Sequence, residues 1–330
     1  MKFILPHGGY GLGNDLIPWA KAFILAQELG AKLLHPAWGN NPRKYYKYFQ
    51  TSRFDYQWYR ILRRTLPRLR FCEEDYRRIG INDFSESSRI FGQENDMSLR
   101  SHYILEITGF WGAFGGLETA KDFIFTQENL FTINKRLSRK KLTVGVHIRL
   151  GDFRLAGTVD YQGAEQASLP IDWYCGICDQ LEAFLGPENL QFVVCSDGER
   201  TQLMPLLKRK NALFTSELPN SDISDLLALI YVDLLICSIS SYSMWAAFLS
   251  RASYIWYRPN LVENRTTLQN KFIKSLGIYS SNEINLQNRE PGRSIAIGIG
   301  DLLPEHLLIC LKRILRNKKN CHLVKDGEIA

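Results

Sequence analysis

Four polar clusters in this chain combine residue types that can grip an anion. The first is His147-Ile148-Arg149-Leu150-Gly151-Asp152. A guanidinium such as that of Arg149 is planar, always charged and presents a bidentate donor edge to a phosphate. Asp152 stands close enough in sequence to pair with Arg149, and a plain ion pair is the competing reading. The second cluster, Ser240-Ser241-Tyr242-Ser243, opens a helical pattern. Hydroxyls and free amides at a helix start form an anion site, although ordinary capping explains a single serine equally well. The third is Asp225, whose carboxylate can accept from N1 and N2 of guanine, a pair of donors adenine does not offer. As a helix residue it is also readable as a solvated surface charge. The fourth is the loop Gly8-Gly9-Tyr10-Gly11-Leu12-Gly13-Asn14. Its glycines, Gly11 and Gly13 among them, let backbone amides approach a phosphate or sugar closely. Their spacing is not that of a dinucleotide fingerprint, and no acidic residue closes the second strand, which disfavours a nicotinamide dehydrogenase. A tight turn without a ligand is the alternative.

These clusters need elements to hold them, and the apolar pattern supplies candidates. Residues 2–6 read as a strand. Ile17, Ala20, Phe23, Ile24 and Leu29 recur at helical spacing, Gly30 caps the helix, and Lys32 to Leu34 begins a second strand. Residues 38–100 have no clear period and read as helices and loops decorating this first lobe. The grammar restarts at Leu142–Ile148, a continuous apolar run of the kind buried in a parallel sheet. Helix 173–185, strand 190–195, helix 199–208, strand 212–215, helix 223–230, strand 233–237, helix 244–249 and strand 253–257 follow. That alternation predicts a doubly wound sheet, with the polar clusters at the carboxyl ends of its strands, where ligands bind.

Bulk composition narrows the class. At 330 residues the chain is long enough for two lobes, and 45% hydrophobic with 23% charged residues is ordinary for a globular protein. No apolar run reaches the ~20 residues a bilayer span requires, and the first residues are too short for a secretory signal. Seven cysteines, an odd number, suit a reducing compartment, and a cytoplasmic location is expected. Cys175 and Cys178 lack a second pair and read as packed helix residues rather than a zinc site. The net charge of +7 is concentrated in two places, residues 43–70, where basic and aromatic side chains interleave, and residues 312–319. Such segments suit phosphates and bases or an anionic membrane face. Leu307, Leu311 and Ile314, flanked by Lys312, Arg313 and Arg316, form a stripe that either lies on lipid or packs against a lobe. No nucleic-acid module is recognisable, so nucleic acid is not an expected partner.

The segments GYGLGND, VGVHIRLGDF, LPIDWYCGI, VVCSDG and DLLALIYVDLLICSISSYSMWAAFL, in that order over about residues 7–257, resemble bacterial α-1,2-fucosyltransferases. They are also similar to the wider superfamily that holds the α-1,6- and protein O-fucosyltransferases. Gly109 to Gly116, followed by DFIF, resembles the segment that precedes the second lobe in the α-1,2 group. The resemblance implies a GT-B-type α/β fold, two Rossmann-like lobes with parallel sheets facing a cleft. Residues 1–140 would form the acceptor-side lobe, 141–300 the GDP-sugar lobe and 301–330 a basic C-terminal helix. The implied reaction is inverting, metal-independent transfer of fucose from GDP-fucose to a hydroxyl of an oligosaccharide acceptor. An α-1,2 linkage and a role in surface polysaccharide or lipopolysaccharide synthesis at the inner membrane face go with it. The absence of any Asp-x-Asp motif agrees with a reaction that uses no metal or other cofactor. By position, His147 and Asp225 would hold guanine and Arg149 the β-phosphate. Ser240, Ser241 and Ser243 would meet the phosphates, and Asn14, with Gly11 and Gly13, the diphosphate or sugar. Asp152 joins the catalytic set, and Asp15, Asp152 and Glu106 are the candidates for the base. Leu150 stands where the family carries a second arginine. That departure keeps open a non-catalytic GDP-sugar or glycan-binding protein, or a transferase for another GDP-sugar.

Overall fold

The structure is a computed structural model of the chain, and it describes residues 2–8, 11–34, 53–71, 102–108, 137–151, 154–155, 167–215, 221–258 and 294–326. The chain divides into two units: Met1–Gln127 with Arg265–Leu276, and Glu128–Asn264 with Gly277–Ala330.

In the N-terminal unit the elements run β1 (Lys2–Pro6), α1 (Leu12–Glu28), β2 (Lys32–Leu33), α2 (Arg53–Thr65), β3 (Arg68–Phe71) and β4 (Tyr103–Ile107). The four strands form one parallel sheet in the order β2-β1-β4-β3. Phe3, Ile4 and Leu5 are buried, as are Leu16, Ile17, Ala20, Phe23 and Ile24 of α1, so the apolar stripe of the helix is its core face. Gly30 ends α1 with φ +57°, and Ala31 N donates to the Ala26 carbonyl at 2.9 Å, a closure that a side chain at residue 30 would strain. Strand β3 was not expected from the sequence. It is a four-residue edge strand in which exposed Arg68 and Arg70 alternate with half-buried Leu69 and buried Phe71, so its apolar signal is two residues long. Strand β4, entirely buried, lies beyond the irregular stretch that hides it.

The C-terminal unit runs β5 (Leu142–Ile148), β6 (Arg154–Leu155), β7 (Ala167–Ser168), α3 (Ile171–Leu185), β8 (Leu190–Ser196), α4 (Met204–Leu207) and β9 (Ala212–Phe214). It continues with α5 (Ser221–Ile230), β10 (Leu234–Ile236), α6 (Ser241–Leu249), β11 (Ser253–Tyr257), β12 (Ser294–Ile297) and α7 (Glu305–Asp326). Six of its strands form a parallel sheet in the order β12-β11-β10-β5-β8-β9. Counted along the chain from β5 this is 3-2-1-4-5-6 read from the other edge, the doubly wound order, whose switch point lies between its first and fourth strands. Here those strands are β5 and β10, paired through Val144, Gly145 and Val146. At Gly145 the end of α5 and the residues after it press close: a Cβ there would stand 3.0 Å from the Leu229 and Val232 side chains.

Two expectations change. The helix expected over 199–208 is only Met204–Leu207, because Pro205 occupies its first turn and residues before it form turns. The C-terminal stripe does not face lipid: Leu307 and Leu311 are buried in the core of this unit and Ile314 packs against it. Among the described residues no helix is long and apolar enough to cross a membrane.

Candidate functional site

At the carboxyl end of β5, where the chain direction around the sheet reverses, His147 is buried, 6% exposed. Its Nδ1 lies 2.7 Å from Ser243 Oγ and 3.0 Å from Ser238 Oγ. Ser243 Oγ also accepts from Ser238 N at 2.9 Å, and Ser240 Oγ, the N-cap of α6, accepts from Ser243 N at 3.2 Å. Ser238 Oγ and Ser240 Oγ are 3.0 Å apart. This hydroxyl lattice fastens β5 to the start of α6 across the switch point. Burial pushes the His147 imidazole down to about 3; nearby Asp197 opposes the shift and Arg149 adds to it. The ring is therefore neutral at physiological pH and acts through hydrogen bonds and stacking, with the Tyr242 ring tilted against it at 4.9 Å.

The lattice separates the serines that the sequence grouped together. Ser243 is fully buried with its hydroxyl turned to His147 and Ser238, so the expectation that it meets phosphate gives way to one in which it sets the imidazole. Ser240, Ser241 and Tyr242 are half-buried at the first turn of α6. Ser238 was missed by the sequence reading, although it lies within the segment that carried the resemblance.

Beside this lattice Arg149 Nη1 donates to Asp197 Oδ2, and Leu150 N donates to Asp197 Oδ1 at 2.8 Å. The guanidinium lies at the strand end, its side chain 26% exposed. Asp197, which holds Arg149, was not singled out in the sequence; the signal was VVCSDG, which places an acidic residue directly after β8. The two strand ends interlock. A Cβ on Gly151 would fall 2.5 Å from Asp197 Oδ2, and one on Gly198 would fall 2.4 Å from Leu150 Cδ1. Leu150 itself belongs to the core. Asp152 lies outside the described residues.

Asp225 is half-buried on α5, which packs on β5 and β8. In the other unit, Gly11 is the N-cap of α1, Gly13 is buried and Asn14 is half-buried on its first turn. Asp15 is 0% exposed, which closes it to an acceptor hydroxyl and removes it from the base candidates. Glu106, at the end of β4, lies 3.0 Å from His7. Cys178 is buried in the core with its thiol pushed up by burial, and Cys175 packs against the same core, as expected of helix residues.

The arrangement joins a fixed cation, a neutral imidazole and helix-start hydroxyls and amides at one switch point. Such a set of groups can hold an anion such as a phosphate beside a flat ring.

Residues 117–274, a little under half of the chain, match the model of Glycosyl transferase family 11. That segment contains every residue of the lattice, Arg149, Asp197 and Asp225. No curated protein matches the chain. Among solved structures, the fucosyltransferase NodZ from Bradyrhizobium is similar with a TM-score of 0.47 at 16% identity, over 75% of this chain and 92% of that one. POFUT1 in complex with GDP has a TM-score of 0.48 at 10% identity, over 76% and 98%. Arabidopsis thaliana FUT1 in complex with GDP has 0.43 at 15%, over 80% and 72%. The family match points to glycosyl transfer.

Proposed function

We propose that this glycosyltransferase moves fucose from GDP-fucose to a hydroxyl of an acceptor glycan, with inversion and without a metal. The observation that carries the reading is Arg149, solvent-reachable beside the His147 lattice and the start of α6, at the switch point of the family-matched sheet. Departure of GDP separates charge: the anomeric carbon becomes oxocarbenium-like and the β-phosphate gains a negative charge. Arg149 and the first-turn amides and hydroxyls of α6 are oriented before the donor arrives, Arg149 by Asp197, so little reorganisation accompanies bond breaking. A permanent cation in that place does the work a metal does elsewhere. His147, being neutral, and Asp225 are assigned to the guanine, with Ser240 and Ser241 at the phosphates. Asn14, Gly11 and Gly13 are assigned to the sugar side. The α-1,2 linkage and a surface polysaccharide or lipopolysaccharide acceptor follow from the sequence resemblance alone, and the basic helix α2, which exposes Trp58 and Ile61, is the surface assigned to a glycan or membrane face.

The test is GDP release from GDP-fucose over an acceptor array. Arg149→Ala is expected to lower turnover by about 100- to 1000-fold with an unchanged melting temperature. Turnover close to wild type would contradict the assignment. Binding of GDP-fucose by the wild type without any release of GDP would instead mark a sugar-nucleotide binder.

A further inference from the structure

Four of the seven large apolar side chains exposed among the described residues belong to one side of the C-terminal unit: Phe184 on α3, Ile299 and Leu302 in the loop between β12 and α7, and Ile309 on α7. Hydrogen bonds and a ring contact make them neighbours. Gln180 Nε2 donates to the Asp301 carbonyl at 3.0 Å and Leu303 N donates to Gln180 Oε1 at 2.8 Å, so the loop is fastened to α3 one turn before Phe184. Lys312 Nζ lies over the Phe184 ring at 5.4 Å, and Ile309 is one turn before Lys312 on α7. The loop itself is a fixed turn: Gly298 N donates to Asp301 Oδ2 at 2.5 Å, Arg258 Nη1 pairs with the same oxygen at 2.9 Å, and Gly300 has φ +79°. That turn holds Leu302 81% and Ile299 60% exposed. A cluster of this kind, unlike scattered single residues, marks a contact surface.

Charge beside the cluster selects the partner. Helix α7 turns Leu307, Leu311 and Leu315 into the core, and its outer face carries exposed Lys312, Arg313, Arg316 and Lys319 around Ile309. Over residues 305–320 the helix has five Lys and Arg against one acid, Glu305. A second copy docked about a twofold axis would bring these cations against their own kind, which disfavours self-association. An anionic surface gains from them instead. Apolar side chains that stand out from the unit, with long cationic side chains beside them, suit a bilayer interface: the acyl boundary takes the apolar tips and the lipid phosphates take the ammonium and guanidinium heads. We infer that this side of the C-terminal unit docks on an anionic phospholipid membrane, with the four apolar side chains entering the interface and Lys312, Arg313 and Arg316 at the head groups. The surface uses no residue of the donor site and differs from the inward stripe of α7.

Co-sedimentation of the full chain with vesicles of phosphatidylcholine alone, and of phosphatidylcholine with phosphatidylglycerol, tests this. Binding is expected to the anionic vesicles only, and it should weaken as salt is added. The triple variant Lys312→Gln, Arg313→Gln, Arg316→Gln should lower the partition coefficient by about 100-fold, at about fivefold per cation. Leu302→Ser with Ile299→Ser, the cations intact, should lower it by about tenfold. Both variants alter exposed side chains and should keep the wild-type melting temperature and its response to GDP, which separates loss of lipid binding from failure of the donor site. If the triple variant melts early, the serine pair is read in its place. Equal binding to neutral vesicles, or anionic binding undiminished in both variants, would overturn the inference. So would a wild type that ignores both kinds of vesicle, or one that forms a dimer in solution which Leu302→Ser dissociates, since each gives the cluster to a protein partner.

Discussion

Hydroxyl groups and the low-dielectric interior, rather than a carboxylate in hydrogen-bond contact, define the environment of His147. A buried neutral ring of this kind has a consequence for stability. The unfolded chain takes up a proton near pH 6.5, whereas the folded ring resists until about 3. The folded pKa is therefore the lower one, so the contribution of His147 is fully present above pH 6.5 and is lost as pH falls from there towards 3. Stability of the wild type relative to His147→Asn should fall over that window by at most about 1.4 kcal/mol per pH unit. Urea denaturation of both proteins from pH 7 to 4 measures it, and a constant difference would contradict the buried neutral ring. His147, Arg149 and Ser240 were legible because a strand end or a helix start is visible in the apolar pattern. Asp197 and Ser238 were not, because their partners, Arg149 with Leu150 N and His147, are 48 and 91 residues away in sequence. Leu150 illustrates the limit of reading a motif: the missing second arginine is seen in the sequence, but its place in the core against Gly198 is not.

Among the elements, α7 gains its place from more than its apolar stripe. Lys318 Nζ donates to Asp233 Oδ2 at 2.5 Å and to the Lys141 carbonyl at 3.3 Å, while Asp233 Oδ2 also accepts from Thr143 N at 2.7 Å. One carboxylate thus ties the C-terminal helix to the amino ends of β5 and β10, opposite the site. Asp233→Ala removes the acceptor for a main-chain amide and for Lys318, and is expected to destabilise the protein by about 1–3 kcal/mol. Lys319→Ala, which removes only an exposed contact to Asn189, should stay within about 0.5 kcal/mol. Chemical denaturation compares the two, and equal effects would contradict the latch. Periodicity revealed β5, α3, β8 and α5 from the sequence because each is long and buried. It failed for β3, whose arginines face outward, and for the helix after β8, where Pro205 shortens the run.

For the molecule as a whole, strand order carries what no single residue does. Both of the larger sheets are parallel, and the six-stranded one has a switch point at which Arg149, the His147 lattice and the start of α6 converge. The alternation of strands and helices was legible in the sequence. The order of the strands was not, because it depends on which side of β5 each crossover falls. In open parallel sheets ligands bind at such a switch point, and on the reading proposed above the ligand is GDP, with the Asp225 carboxylate accepting from guanine. Thermal unfolding in the presence of GDP, UDP, ADP and CMP at equal concentration tests this most directly, since a ligand of the folded state raises its melting temperature by mass action. The largest rise is expected with GDP, and it should be lost in Arg149→Ala. Equal shifts with all four nucleotides, or none with GDP, would contradict it.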